Sequence, residues 1–204
     1  MPHLARSTLA ALAFCAAAAT PASAHTATIG ATAPASLSAD PLFTEVQCLS
    51  ALQQGSRGYV VPYSGRLTSW SYQGQPTGAR YANATAQLQV YRPLGPGRWM
   101  LAAESAPEVA RPRALNRFPV AISVRAGDIL GLHATIGCMW TSRTGAALSF
   151  GAAVATGATV TPDGPGMTGA RLNVSATLAS TTRRRSGRRP GRRAPRAPAA
   201  GRPR

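Results

Sequence analysis

The chain has 204 residues and a formal net charge of +16. Its 22 positively charged residues are all arginine, and it contains no lysine. Ten of the 22 arginines lie in residues 183–204, which contain no acid, whereas residues 41–178 combine eleven arginines with five acids and one histidine. This small stock of titratable groups disfavours an enzyme that works by acid–base chemistry. After the first 24 residues no apolar stretch approaches the roughly 20 residues of a membrane-spanning helix.

The first 24 residues have the pattern of a secretory signal peptide. Arg6 precedes an alanine-rich apolar run over residues 9–19, and Pro21 is followed by the small residues of an Ala22-Ser23-Ala24 cleavage site. The run is shorter than a membrane-spanning helix, so we expect cleavage rather than anchoring. The mature chain would then begin at His25 and be secreted or held at the cell surface.

Cleavage would leave an even pair of cysteines, Cys48 and Cys138. Outside the cytoplasm such a pair is expected to form a disulfide, whereas a zinc site would need further cysteine or histidine ligands at short spacing. Closing a loop of about 90 residues would stabilise the domain by on the order of 4 kcal/mol.

The strand pattern begins after a small, polar segment, residues 25–40, which indicates a flexible lead-in or an edge strand. Residues 41–180 alternate apolar and polar side chains in short runs separated by Gly and Pro. The runs predict eight strands, over residues 58–63, 66–73, 84–92, 98–104, 116–124, 129–136, 146–152 and 171–178. Without an amphipathic helical pattern, they favour an all-β fold, an antiparallel β-sandwich of jelly-roll or Greek-key type, in one domain with disordered ends.

The alternation is clearest in residues 116–136, which predict two strands joined by a tight turn at residues 125–128. In the second of these strands His133 faces away from Leu130, Leu132, Ala134 and Ile136. In the last strand the polar residues are predicted to face outward; these are Arg171, Asn173, Ser175 and Thr177.

Four segments carry a resemblance to a known group of proteins. They are TSWSYQ at 68–73, QVYRPLGPG at 89–97, ALNRFPVAISVRAGDILGL at 114–132 and RLNVSATL at 171–178. Together they resemble a group of uncharacterised exported β-sandwich proteins of high-GC actinobacteria. The resemblance implies the same fold and export, and it implies no activity or site residue.

A glycan-binding face is predicted on the strand at residues 84–92. Gln87, Gln89 and Tyr91 share the face opposite its apolar residues, and a row of amides beside an aromatic ring suits a polysaccharide, although an ordinary solvent-facing sheet has the same pattern. The other aromatic residues of the strands are predicted to lie in the core because of the area that they bury. They are Trp70, which shares a face with Tyr72, and Trp99, which shares a face with Leu101.

A copper site is the alternative that involves catalysis. Cleavage before His25 would give it a free amine, as in the lytic polysaccharide monooxygenases, which this chain resembles only in that respect and in being a small exported sandwich. His133 would have to supply the second imidazole. A serine hydrolase is disfavoured, because Asp128 is a normal turn residue and no G-x-S-x-G motif is present.

The C-terminal segment 181–204 consists mainly of Arg, Pro, Gly and Ala and is predicted to be disordered. Its arginines either bind acidic polymers or form a solvated end, and no aromatic residue is available to stack on bases. The candidate contacts are Arg183, Arg184, Arg185, Arg188, Arg189, Arg192 and Arg193.

The sequence therefore predicts an exported, non-enzymatic binding or structural module with no cofactor. Its expected partners are extracellular or cell-wall polysaccharides, or acidic polymers bound by the C-terminal segment. The alternatives are a copper-dependent, polysaccharide-active enzyme and a polyanion-binding protein.

Overall fold

Twelve β-strands and one turn of 3-10 helix make up the part of the chain that the computed structural model describes, residues 25–36, 47–75 and 83–180. The strands are β1 (Thr26–Ala31), β2 (Cys48–Gln54), β3 (Gly65–Gln73), β4 (Thr85–Gly95), β5 (Arg98–Glu104), β6 (Glu108–Val109), β7 (Leu115–Val124), β8 (Ile129–Ala134), β9 (Met139–Ser149), β10 (Thr159–Val160), β11 (Met167–Leu172) and β12 (Val174–Ser180). The predicted leader and C-terminal segment lie outside the described residues.

Two antiparallel sheets pack face to face. The smaller sheet has the order β1-β12-β3-β7, and the larger has the order β10-β5-β4-β8-β2-β9-β11, with β6 paired to β4. Apolar side chains from both sheets form one central core, in which Trp70, Tyr72 and Leu178 of the smaller sheet meet Leu88 and Leu132 of the larger. The predicted all-β, antiparallel sandwich is confirmed.

The two strands at residues 116–136 do not pair with each other as a hairpin. β7 is an edge strand of the smaller sheet, whereas β8 lies at the centre of the larger sheet. The tight turn between them is present: Asp128 N donates to Arg125 O at 3.1 Å, and Arg125 N donates to Asp128 Oδ2 at 2.8 Å. The turn therefore carries the chain from one sheet to the other. The predicted alternation along β8 is confirmed, because Leu130, Leu132 and Ala134 are fully buried and His133 is half-buried on the opposite face.

The last predicted strand is two strands, and they belong to different sheets. β11 ends at Leu172 in the larger sheet and β12 begins at Val174 in the smaller one, so Asn173 is the crossover residue. Asn173 is 0 % exposed. The prediction that it faces outward is wrong, because its amide bonds to backbone groups inside the protein.

Several further segments depart from the predictions; the strand predicted at residues 146–152 is β9, which begins at Met139 and ends at Ser149. Residues 58–63 are not a strand, since the 3-10 turn Arg57–Tyr59 lies there. Of the two alternatives predicted for the lead-in, the edge strand is observed: β1 pairs with β12. β2 was not predicted, because five of its seven residues are buried and the strand shows no two-residue alternation. It lies between β8 and β9, with protein on both faces.

The predicted disulfide is confirmed. Cys48 and Cys138 are bonded, with their Cα atoms 5.8 Å apart and a sequence separation of 90, and both are buried. The bridge joins the start of β2 to the segment that connects β8 and β9. Among the described residues, no helix is long and apolar enough to cross a membrane.

Candidate functional site

The face of β4 that was predicted to bind glycans is covered by protein. Gln89 is 1 % exposed and Tyr91 0 % exposed, and Gln87 is half-buried. Tyr91 belongs to a second apolar cluster, on the side of the larger sheet that faces away from the smaller sheet. The other members of this cluster are Leu52, Trp99, Leu101, Leu148 and Phe150. The prediction of an accessible row is therefore wrong at Gln89 and Tyr91.

The polar groups of this face bond inside the protein. The Tyr91 hydroxyl donates to Gln89 Oε1 at 2.9 Å, and Gln89 Nε2 donates to Ser50 Oγ at 3.4 Å. Gln87 Nε2 donates to Ser105 O at 2.6 Å. Burial raises the pKa of Tyr91 above its ordinary value. The side-chain amides of Gln87 and Gln89 therefore form hydrogen bonds within the protein and do not present donors to a sugar.

The structure does not bring His25 and His133 together. His133 lies on the central strand of the larger sheet, on the face opposite Leu132 and so away from the smaller sheet. His25 precedes the edge strand of the smaller sheet, where its ring stacks on Tyr63 with centroids 5.5 Å apart. Within the described ranges, no three or more His, Cys, Asp or Glu side chains are grouped to hold a metal ion. These residues do not fit a two-histidine copper site.

Asp128 has the structural role that its place in a turn predicted. Arg92 binds it with two hydrogen bonds, Nε to Oδ1 at 2.9 Å and Nη2 to Oδ2 at 3.0 Å. The Asp128 side chain is 2 % exposed. Hydrogen bonding to Asp128 raises the pKa of Arg92. The carboxylate thus holds β4 to the turn before β8.

Exposed positive charge is concentrated in one short part of the described chain, which we call the arginine segment: Arg111, Arg113 and Arg117. All three are exposed, and none forms an ion pair or a side-chain hydrogen bond with another described residue. Val109 and Leu115 lie in the same stretch and are the two most exposed large apolar residues of the described part, at 61 % and 58 %.

The backbone of the arginine segment is held by buried amides. Asn116 is 2 % exposed; its Oδ1 accepts from Arg111 N at 2.8 Å, and its Nδ2 donates to Arg111 O at 3.0 Å and to Ala114 O at 2.9 Å. Arg113 N donates to Gln75 O at 2.8 Å. The arginine side chains have no partner among the described residues, but the backbone that carries them is fixed.

Arg113 also has an unusual backbone conformation. Its φ is 54°, and among the described residues it is the only one other than glycine with a positive φ. The left-handed conformation costs an L-residue about 1 to 2 kcal/mol. The hydrogen bonds of Asn116 and Gln75 hold the loop in this shape.

The described part of the chain is strongly positive overall. The described residues include ten arginines against four acids, and one of those acids, Asp128, is already paired with Arg92. Glu108, the acid closest in sequence, is half-buried and forms no ion pair with another described residue. An anion approaching the segment would therefore meet little competing negative charge.

The arginine segment was not among the predicted sites, because the sequence predicted a cationic surface only in the C-terminal segment. Those tail arginines, Arg183 to Arg193, lie outside the described residues. Three arginines in seven positions were visible in the sequence. That their backbone is fixed was not, because it depends on the burial of Asn116.

Comparison with protein-family models, with curated proteins and with solved structures finds no match to this chain.

Proposed function

We propose that this protein is an exported, non-catalytic binding module that attaches to anionic polymers at the outer surface of the cell through the arginine segment. The observation that carries the proposal is the exposure of three unpaired arginines on a backbone fixed by Asn116. The leader-like sequence of residues 1–24 and the Cys48–Cys138 disulfide support an oxidising, exported setting.

The chemistry of the ligand follows from the guanidinium groups. A guanidinium offers planar, paired N–H donors that match phosphate and carboxylate oxygens. Each exposed contact contributes only about 0.2 to 1 kcal/mol and is screened by salt, so useful affinity requires several contacts at once. A polymer with repeated phosphates or carboxylates provides them.

The fixed backbone strengthens such binding. A loop that is already ordered loses less conformational entropy when it binds than a flexible one does. Since Asn116 and Gln75 hold Arg111 and Arg113 in the free protein, only the arginine side chains need to be ordered by the polymer.

The test uses the mature chain from residue 25 and a glycerol-phosphate teichoic acid. Replacing Arg111, Arg113 and Arg117 by Gln is expected to lower the affinity about tenfold at low salt. It should also make the dependence of log K on log salt less steep by about 2, since each phosphate contact contributes about 0.7 on a flexible polyanion. The matched control replaces Arg57, Arg98 and Arg143, which are also exposed, with the same loss of charge. An equal loss in both triple variants would refute a specific role for the arginine segment.

The C-terminal segment is the competing cationic surface. A chain that ends at Ser180 lacks ten arginines of the full sequence. If the shortened chain keeps a teichoic acid affinity that still depends on the arginine segment, the proposal stands. If shortening removes all binding while the triple Gln variant of the full chain binds normally, the tail is the binding element and the proposal is overturned.

A further inference from the structure

A cleft of about 460 Å³ opens at the β11 edge of the larger sheet. Met139 and Ala147 of β9 form its buried wall, and Met167 at the start of β11 lies on its rim, 39 % exposed. The volume falls in the range of roughly 300 to 1,000 Å³ that is typical of small-molecule sites. Methionine is a suitable lining residue, because its flexible thioether adapts to ligands of different shape.

Glycines give the cleft its space. Gly151 and Gly166 line it without side chains. Gly166 has a φ of 80°, and a Cβ there would lie 2.6 Å from Leu148 Cδ2, so a larger residue would be strained and would clash. A Cβ on Gly151 would lie 2.5 Å from Asp163 Oδ2. The absence of a side chain at Gly151 therefore allows the Asp163 carboxylate to lie against it, and the absence of one at Gly166 leaves room for Leu148.

Asp163 is the only charged residue among those that line the cleft. It is also one of four acids beside ten arginines in the described chain, so a cleft lined by an acid and by no arginine departs from the overall charge. Its carboxylate forms no ion pair or hydrogen bond with another described residue. A second cleft, of about 370 Å³, lies beside the first and shares Asp163 and Gly151 with it.

We infer that this cleft binds a small amphiphilic cation. The apolar part of the ligand lies against Met139, Ala147 and Met167, and its ammonium group lies at Asp163, whose negative charge has no partner among the described residues. The inference concerns a different ligand class and a different part of the molecule from the polymer-binding proposal, so either can fail without the other.

The experiment measures binding of octyltrimethylammonium, octanoate and 1-octanol to the mature chain by calorimetry, at concentrations below those at which the probes aggregate. We expect the ammonium probe to bind more tightly than the other two. Asp163→Asn should weaken the ammonium probe about three- to fivefold, as for an exposed ion pair, and leave 1-octanol unchanged. Glu108→Gln is the matched control, because it removes one negative charge outside the cleft.

A second variant tests the location. Ser149 lines the cleft and is exposed, so Ser149→Leu should fill the space with little effect on folding and abolish binding of the ammonium probe. Equal affinity for the ammonium and carboxylate probes, an equal effect of Glu108→Gln, or unchanged binding by a folded Ser149→Leu protein would each overturn the inference.

Discussion

Asn173 and Asp163 lie ten positions apart in the chain, and their side chains are in opposite surroundings. The Asn173 side chain is fully buried and makes four hydrogen bonds: it accepts from Ala33 N at 2.9 Å and Gln73 N at 3.2 Å, and it donates to Gln73 O at 2.8 Å and Gly137 O at 2.9 Å. The Asp163 side chain is exposed and has no partner among the described residues.

This difference distinguishes a residue that stabilises the fold from a residue that is available to bind a ligand. A buried polar group whose partners are all internal would leave several unsatisfied groups if it were removed, so it is a structural residue. An exposed charge with no internal partner adds little to folding and remains available to a ligand. The crossover at Asn173 and the cleft at Asp163 should therefore respond differently to substitution.

The largest effect is expected from the disulfide that borders the Asn173 crossover. Cys138 O accepts a hydrogen bond from Asn173 N at 2.8 Å, so the bridge holds one side of the crossover in place. Replacing both Cys48 and Cys138 by Ala should lower the free energy of unfolding by about 4 kcal/mol, because the unfolded chain is no longer constrained. Urea unfolding of the oxidised protein and the variant measures this. A loss below about 1 kcal/mol would contradict the expectation.

Asn173→Leu should follow, with a loss of about 3 kcal/mol, since four backbone groups are left without partners in the core. Asn173→Asp should also destabilise, because a carboxylate cannot donate to Gln73 O and Gly137 O. Ser175→Ala is the control: Ser175 is half-buried two residues further along the chain, and its loss should change stability by less than about 0.5 kcal/mol. Equal urea midpoints for the Asn173→Leu and Ser175→Ala variants would show that the crossover is not a centre of stability.

Alkaline pH should act on the same region through Tyr59, whose hydroxyl donates to Leu172 O at 2.6 Å and to Ala31 O at 3.1 Å. Burial raises the pKa of Tyr59 to about 12, against a value of 10.0 when exposed. Between these pH values the unfolded chain has lost the proton and the folded protein keeps it, so stability falls as pH rises. The stabilisation is complete below pH 10 and decreases by about 1.4 kcal/mol per pH unit for this residue.

Urea unfolding at a series of pH values from 9 to 12 measures this dependence. Buried Tyr72 and Tyr91, whose pKa values are also raised, add to the slope. Tyr59→Phe should be less stable at pH 9 but should show a shallower loss above pH 10. An unchanged slope would mean that Tyr59 ionises equally in both states.

The smallest effect on the free energy of unfolding is expected at Asp163. Asp163→Asn removes a charge that has no partner among the described residues, so the free energy of unfolding should change by less than about 0.5 kcal/mol. A much larger loss in urea unfolding would show that Asp163 is a structural residue, and the contrast with Asn173 would disappear.

Sequence alternation predicted those strands that bury one face. β5 was predicted with its observed bounds, and β7 and β8 differ from their predicted ranges by at most two residues at either end. β2 was not predicted because both of its faces are covered. Residues 171–178 were predicted as one strand because their alternation continues across Asn173, where the chain passes from the larger sheet to the smaller. Alternation reports which side chains are buried and not which sheet buries them.

The sites were harder to predict because they depend on contacts distant in sequence. The disulfide followed from counting the two cysteines that come after the predicted leader. The cover over Tyr91 comes from Phe150, about 60 residues away, and strand parity contains no information on such a neighbour. The arginine segment depends in the same way on Gln75, and it also depends on the burial of Asn116, which an isolated Asn in a strand pattern does not signal.

The pairing of β1 with β12 also bears on how the module would respond to force. Thr26 lies opposite Ala179, and Ser180 N donates to His25 O at 2.9 Å, so the two ends of the described chain leave the same edge side by side. A pull applied at both ends would open these hydrogen bonds one after another, as a zip opens, and would not load them together. The disulfide would then withhold the chain between Cys48 and Cys138, a sequence separation of 90, from extension, which is roughly 300 Å of chain. Single-molecule pulling with and without reductant would show this length directly.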